Sequence, residues 1–246
     1  MPIFILVPAF NEASKIGTLL EEVQTKVDGA DVEVVVIDDG STDQTRAVAR
    51  ASGVEVLRNE TNQGKGAALC RGLKALSARS IDAVVWMDAD GQHRPGSIPD
   101  IVRPVLRDGI DLCVGSRYLS DHQSGSAPLN RRVVRNLVMR TVRGRTGFDV
   151  TDPFSGFRCF SPAAYRALSL VGCGYESELE SCFSIARAGL TYGEVPIERI
   201  YGPGMSKMGH VDGAFRGRLR VVSGYARAIG RELMPDIGPL RVAVHE

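Results

Sequence analysis

Apolar and polar positions alternate along this chain in blocks whose period switches repeatedly between that of a strand and that of a helix. Residues 2–8 (PIFILVP) form an apolar run of strand length, a polar loop follows through Glu12, and Ile16, Leu19, Leu20 and Val23 then recur at helical spacing. Residues 32–37 (VEVVVI) repeat the unit and run into Asp38-Asp39-Gly40-Ser41. There Ser41 and Gln44 fit a capping box for a helix carrying Ala47, Val48 and Ala51. A short strand over 54–57 precedes Asn62-Gln63-Gly64-Lys65-Gly66 and an alanine-rich helix over 67–78. The run Val84-Val85-Trp86-Met87 ends in Asp88-Ala89-Asp90-Gly91-Gln92-His93, and a helix over 98–106 and a strand over 111–115 follow. Strand and helix alternating across short connections predict an α/β fold with a mostly parallel sheet covered on both faces. Ligands of such sheets collect beyond the carboxyl ends of the strands. The acids at Glu12, at Asp38 and Asp39, and at Asp88 and Asp90 all fall at such ends, so one cleft is expected to gather them.

The second half is patterned differently. Residues 123–148 hold no acid but include Arg131, Arg132, Arg135, Arg140, Arg143 and Arg145, interleaved with an apolar arc of Leu129, Val133, Val134, Leu137, Val138 and Val142. A second basic amphipathic helix is expected over 215–231. Two readings stay open for both helices: an arc lying in a membrane interface, or an arc packed on the sheet. Residues 154–160 (FSGFRCF) alternate like a strand in which Gly156 permits a close approach. A helix is expected over 175–188, a final strand over 191–200, and a glycine-bearing flap with Lys207 after it.

Composition changes this picture little. The 246 residues are 43% hydrophobic and 24% charged, ordinary for one soluble domain, and a net charge of +1 argues against nucleic acid as a partner. Five scattered cysteines without a Cys-x-x-Cys pair predict a reducing compartment and no structural zinc. No apolar run reaches the roughly 20 residues of a membrane span, so the expected location is the cytoplasm, with peripheral attachment at its membrane face.

The chemistry is concentrated at Asp88-x-Asp90. Two carboxylates delivered at the tip of a buried strand suit a hard divalent cation such as Mg²⁺ or Mn²⁺ and leave positions open for a diphosphate. Two familiar nucleotide folds are excluded. No Gly-x-Gly-x-x-Gly follows the first strand, and at Gly64-Lys65 Asn59 stands where a P-loop has its first glycine while Gly66 replaces its Ser/Thr. The Gly64–Gly66 turn is left as an anion-accepting helix start or a plain turn.

Pro8-Ala9-Phe10-Asn11-Glu12, Asp38-Asp39-Gly40-Ser41-Thr42-Asp43, Asn62-Gln63-Gly64-Lys65-Gly66 and Asp88-x-Asp90, in this order and spacing, resemble family 2 glycosyltransferases of the GT-A fold, a Rossmann-like three-layer sandwich. Gly115-Ser116-Arg117-Tyr118, residues 152–158 (DPFSGFR), Tyr175-Glu176 and residues 194–197 (EVPI) narrow the resemblance to the dolichol-phosphate or polyprenyl-phosphate mannosyltransferase branch. It spans roughly residues 3–210.

The resemblance implies an inverting transfer from a nucleotide-diphosphate sugar, GDP-mannose by expectation and a UDP-sugar otherwise, to a polyprenyl phosphate. It places Pro8, Ala9, Glu12 and Asp39 around base and ribose, and Lys65 beside the nucleotide. It assigns Asp88, Asp90 and Gln92 to Mg²⁺ or Mn²⁺, with His93 either an extra ligand or a polar wall. Arg117, Arg131 and Arg132 are expected at the acceptor phosphate and Lys207 over the leaving diphosphate. A soluble hydroxyl acceptor is the alternative, with Asp152, Glu176 or Glu178 as its base; a nucleotidyltransferase and a non-catalytic nucleotide-binding module also remain open. The catalytic domain is expected over 1–211 and a helical extension over 212–246, with a membrane surface or membrane partner as docking site.

Overall fold

A computed structural model describes residues 1–119, 129–172, 174–198, 200 and 213–233, with side chains at all of these except 129–132, 213–221 and 233. Strand β1 (Ile3–Ala9) is buried almost throughout because its residues are apolar on both faces. It lies between β3 (Ala30–Asp38) and β5 (Ala83–Trp86), parallel to both, with Ala9 level with Asp38 and Leu6 level with Trp86. Strand β4 (Glu55–Arg58) extends this parallel set beyond β3, and β2 (Lys26–Val27) makes a short antiparallel hairpin with β3.

On the other side of β5 one strand runs against its neighbours. Strand β7 (Arg158–Phe160) runs antiparallel between β5 and β6 (Leu112–Ser116), and β8 (Tyr192–Pro196) closes the row parallel to β6. The sheet order is β2-β3-β1-β5-β7-β6-β8, with β4 also on β3. The expectation of a mostly parallel, doubly covered sheet holds.

Period-two alternation sends neighbouring side chains into different layers. Ile5, Val7, Val36, Val85 and Cys113 pack with α1 (Ala13–Glu22), α2 (Thr45–Ala51) and α4 (Ile98–Arg107). Phe4, Leu6, Ile37, Trp86 and Phe160 pack with α3 (Lys65–Ala75), α5 (Leu129–Thr146), α6 (Pro162–Ala167) and α7 (Ser177–Arg187).

Three expectations need correcting. Ser41 and Gln44 form no capping box: α2 begins at Thr45 without a side-chain cap, because the Ser41 hydroxyl instead accepts from the Asn11 amide at 3.0 Å. Residues 154–157 are not strand, since Ser155 turns its hydroxyl onto the Gly115 carbonyl at 2.6 Å and β7 starts only at Arg158. The last strand stops at Pro196. Helix α8 (Gly213–Leu233) packs on the domain, with Tyr225 and Ala228 buried in the same core as Trp86 and Phe160.

The apolar arc of α5 is only partly packed on the core. On α5, Val138 and Val142 are buried, one turn apart, while Val133 and Leu137 are 66% and 67% exposed. Among the described residues no helix is long and apolar enough to cross a membrane.

Candidate active site

The carboxyl ends of β1, β3, β4 and β5 all open on one side of the sheet, and side chains stitch their loops together. Asn11 sits at φ 53°, a region asparagine tolerates, and its side-chain oxygen accepts from the Thr42 amide at 2.8 Å. The Glu12 amide donates to the Thr45 hydroxyl at 2.7 Å. Asp39 binds the next loop: its carboxylate accepts from Asn59 Nδ2 at 2.7 Å, from the Gln63 amide at 3.0 Å and from the Gly64 amide at 2.7 Å. Asp39 is therefore buried, and its first task is to hold residues 59–64 at the mouth. Gly40, at φ 72°, lets the two loops touch, because a Cβ there would lie 2.5 Å from the Thr61 carbonyl carbon.

At the end of β5, Asp88 is paired. Lys65, the first residue of α3, places Nζ 2.6 Å from Asp88 Oδ1 and 2.7 Å from Glu178 Oε1. Burial works against the Asp88 carboxylate, but Lys65 outweighs it and holds the pKa below the ordinary range. The same burial would lower Lys65, and the two carboxylates more than reverse it, so the ammonium is fixed as a cation. Asp90 goes the other way: burial, then repulsion by Asp88, pushes its pKa from 3.8 up to about 6, although the Gln92 amide donates to it at 3.0 Å. Gly156 closes over this group, since a Cβ there would come within 2.5 Å of both Asp88 Oδ2 and Lys65 Nζ.

His93 is buried against Phe157, ring centroids 5.1 Å apart, and burial lowers its pKa to about 4. It is thus a neutral wall at pH 7.

The Asp90 shift carries a test. In metal-free protein the folded state holds this proton more tightly than the unfolded chain. That contribution is complete below about pH 4 and is lost as pH rises through about 6. Asp90→Asn is expected to be more stable than wild type above pH 6 in excess chelator, by about 1 to 2 kcal/mol after screening by solvent. The advantage should vanish below pH 4, as melting curves across that range will read out.

On the far side of the cleft a chain of contacts presents Arg117. Glu194 on β8 accepts from the Thr151 amide at 2.9 Å and the Asp152 amide at 3.3 Å, and also from the Thr151 hydroxyl. Asp152, so fixed and fully buried, takes Arg117 Nε at 2.7 Å and Nη2 at 3.0 Å. Burial opposes the Asp152 charge, and Arg117 overrides it, holding the carboxyl below its usual range. Asp152 is committed to Arg117 and is poorly placed to act as a base. Arg158 is wholly buried and donates to the Pro153 and Ser155 carbonyls at 3.2 and 2.8 Å, which ties the 153–157 loop to its strand.

Residues 4–170 match the glycosyl transferase family 2 model. The chain belongs to glycosyl transferase family 2. This transferase is 31% identical over 220 residues to the UDP-N-acetylglucosamine–dolichyl-phosphate N-acetylglucosaminyltransferase of Methanococcus voltae, covering 81% of this chain and 86% of the relative. It is 31% identical over 206 residues to the undecaprenyl-phosphate mannosyltransferase of Micrococcus luteus, covering 80% and 83%. Its fold superposes on glucosyl-3-phosphoglycerate synthase from Mycobacterium tuberculosis, solved with Mn²⁺, UDP and glucosyl-3-phosphoglycerate, with TM-score 0.67 and 27% identity over 93% of this chain and 80% of that one.

In the transferase Pro8, Ala9, Glu12, Asp39, Asp88, Asp90 and Gln92 lie at or just beyond strand ends, Lys65 joins Asp88 from the start of α3, and Arg117 is paired with Asp152 beyond the end of β6. Lys207 lies outside the described residues, as do the side chains of Arg131 and Arg132. Among the described residues no three His, Cys, Asp or Glu side chains cluster as a ready metal cage. The donor set still fits a hard divalent ion, because two crowded carboxylates, one of them strained toward protonation, leave positions for substrate oxygens. Sequence reading missed the Lys65–Glu178 pair. Its partners are 113 residues apart, and the sequence marked Glu178 only as a candidate base, not as the partner of Lys65.

Proposed function

We propose that this transferase moves a hexosyl unit, with inversion, from a nucleotide-diphosphate sugar to a polyprenyl phosphate. The observation that carries the reading is the cleft itself. Carboxylates and a fixed ammonium at the ends of β1, β3 and β5 face a guanidinium held at the opposite rim. Relatives named for dolichyl and undecaprenyl phosphate support the acceptor class. One of them is named for a UDP-sugar, so UDP-sugars stand beside GDP-mannose as donors.

In this reading the loop around Asp39 holds the nucleoside and Lys65 lies beside the diphosphate. Asp88, Asp90 and Gln92 would hold Mg²⁺ or Mn²⁺, which when bound supplies positive charge against the leaving diphosphate. The acceptor phosphate, with a second pKa of about 6, arrives as an anion and needs no strong base. An oxygen of it forms the bond to the anomeric carbon as the bond to the diphosphate breaks. Arg117 is oriented by Asp152 to meet that phosphate, with Arg131 and Arg132 on α5 as further cations and Lys207 assigned to the diphosphate.

The exposed Val133 and Leu137, on the helix that carries these arginines, form the edge that rests on a lipid surface. The second reading is a soluble phosphorylated acceptor, favoured by the neighbour solved with glucosyl-3-phosphoglycerate.

One assay separates the two. GDP-mannose, UDP-glucose and UDP-N-acetylglucosamine are each supplied with undecaprenyl phosphate in anionic vesicles or with 3-phosphoglycerate, and nucleoside diphosphate release is followed with mass spectrometry of the product. Glycolipid formation is expected; turnover only with phosphoglycerate selects the soluble reading, and release of pyrophosphate would indicate a nucleotidyltransferase. In the same vesicles Leu137→Asp should lose co-sedimentation while keeping its melting temperature, because the side chain is exposed. Unfolding of this variant would assign Leu137 to the core instead.

A further inference from the structure

Glu178 has no part in the reading above, yet it is one of the most deeply buried acids of the protein. It lies at the N-terminal end of α7, where the helix dipole favours a negative charge, and Oε2 accepts from the Ser177 hydroxyl at 3.1 Å. Its other oxygen faces Lys65 Nζ at 2.7 Å, while Asp88 faces the same nitrogen at 2.6 Å. The Lys65 ammonium thus stands between an inner carboxylate and an outer one, Asp88 being the more exposed of the two.

A divalent ion entering at Asp88 would meet this ammonium on an oxygen it needs. Like charges within about 4 Å repel strongly where water is excluded. Lys65 cannot leave as a neutral amine without stranding Glu178 as an unpaired buried charge, a costly state. Gly156 above the pair blocks movement in one direction only through its backbone, having no side chain there.

Resting on the metal reading, we propose that Lys65 is a built-in counter-ion that occupies Asp88 until the metal arrives, and that Glu178 is the positioning residue that retains Lys65 once Asp88 is taken over by the metal. The arrangement is a charge exchange: Asp88 trades Lys65 for the divalent ion, and Glu178 keeps the ammonium in the cleft, beside the incoming diphosphate. The empty site is thereby kept from holding two unpaired carboxylates.

A double-mutant cycle on the full chain tests this, with Mn²⁺ alone as the probe and its dissociation constant read by electron paramagnetic resonance in the absence of nucleotide. Lys65→Met should bind Mn²⁺ on the order of tenfold more tightly, and Glu178→Gln on the order of tenfold more weakly, because Lys65 then has only Asp88. The double variant should match Lys65→Met within about twofold, since Glu178 acts through Lys65.

An equal weakening by Glu178→Gln in both backgrounds would make Glu178 a mere source of local negative charge and overturn the proposal, as would unchanged affinity in Lys65→Met. Failure of both wild type and Lys65→Met to bind Mn²⁺ would instead remove the metal reading itself. If Lys65→Met does not fold with Glu178 unpaired, the double variant against wild type still decides, tighter binding supporting the exchange and equal or weaker binding refuting it.

Discussion

Asp90→Ala is expected to lower turnover by at least about a thousandfold, equivalent to about 4 kcal/mol of transition-state stabilisation, while leaving the protein folded. The loss follows, on the proposed reading, from removing one of the two carboxylates that would hold the divalent ion. The fold survives because Asp90 lies in the loop beyond β5, and burial and Asp88 both work against its charge in the metal-free state. Circular dichroism and melting curves should match wild type or exceed it at pH 8. Wild-type turnover in this variant, or full wild-type activity in excess chelator, would count against the metal assignment.

Gly40→Ala is expected to act on stability and nucleotide binding together. A side chain there meets two costs: the backbone at φ 72° is a left-handed conformation, and the added Cβ would press on backbone atoms of Thr61 and Asn62 at 2.5 to 2.8 Å, which no rotamer change relieves. A loss of about 2 to 4 kcal/mol in denaturant unfolding is expected. Because the displaced loop is the one Asp39 holds, thermal stabilisation by GDP or UDP should fall with it. A variant of normal stability with normal nucleotide binding would show that residues 38–41 and 59–64 do not need to touch.

The strand ends were readable in the sequence because apolar runs of strand length stop at acids: residues 32–37 at Asp38, and 84–87 at Asp88. The helices over 98–106 and 175–188 were readable because their apolar positions recur at helical spacing, and the structure places α4 and α7 there. Local signals failed where a distant residue decides the outcome. Ser41 looks like a cap until Asn11 claims its hydroxyl, and residues 154–157 alternate like a strand until Ser155 bonds to Gly115. The apolar arc of α5 gave no hint that Val138 and Val142 would turn to the core while Leu137, between two turns of the same helix, stays outside. For the cleft, motif spacing named the acids and Arg117. It could not show that Asp152 is the residue that aims Arg117, nor that Lys65 has two carboxylates rather than one.

The reversed strand β7 sets the order in which this molecule can be completed. β5 and β6 are not neighbours; each pairs with β7, which lies more than forty residues after β6 in the chain. During synthesis the row β4-β3-β1-β5, with the Asp39 and Asp88 loops at its ends, has all its strands once residue 86 has emerged. The rim bearing Arg117 must wait for residues 158–160 to insert and for β8 to follow. Such long-range pairing is slow, because a large loop must close before the contacts form. The nascent chain is therefore expected to pass through a stage with the Asp39 and Asp88 loops in place and an open sheet edge at β5, the edge that β7 later covers.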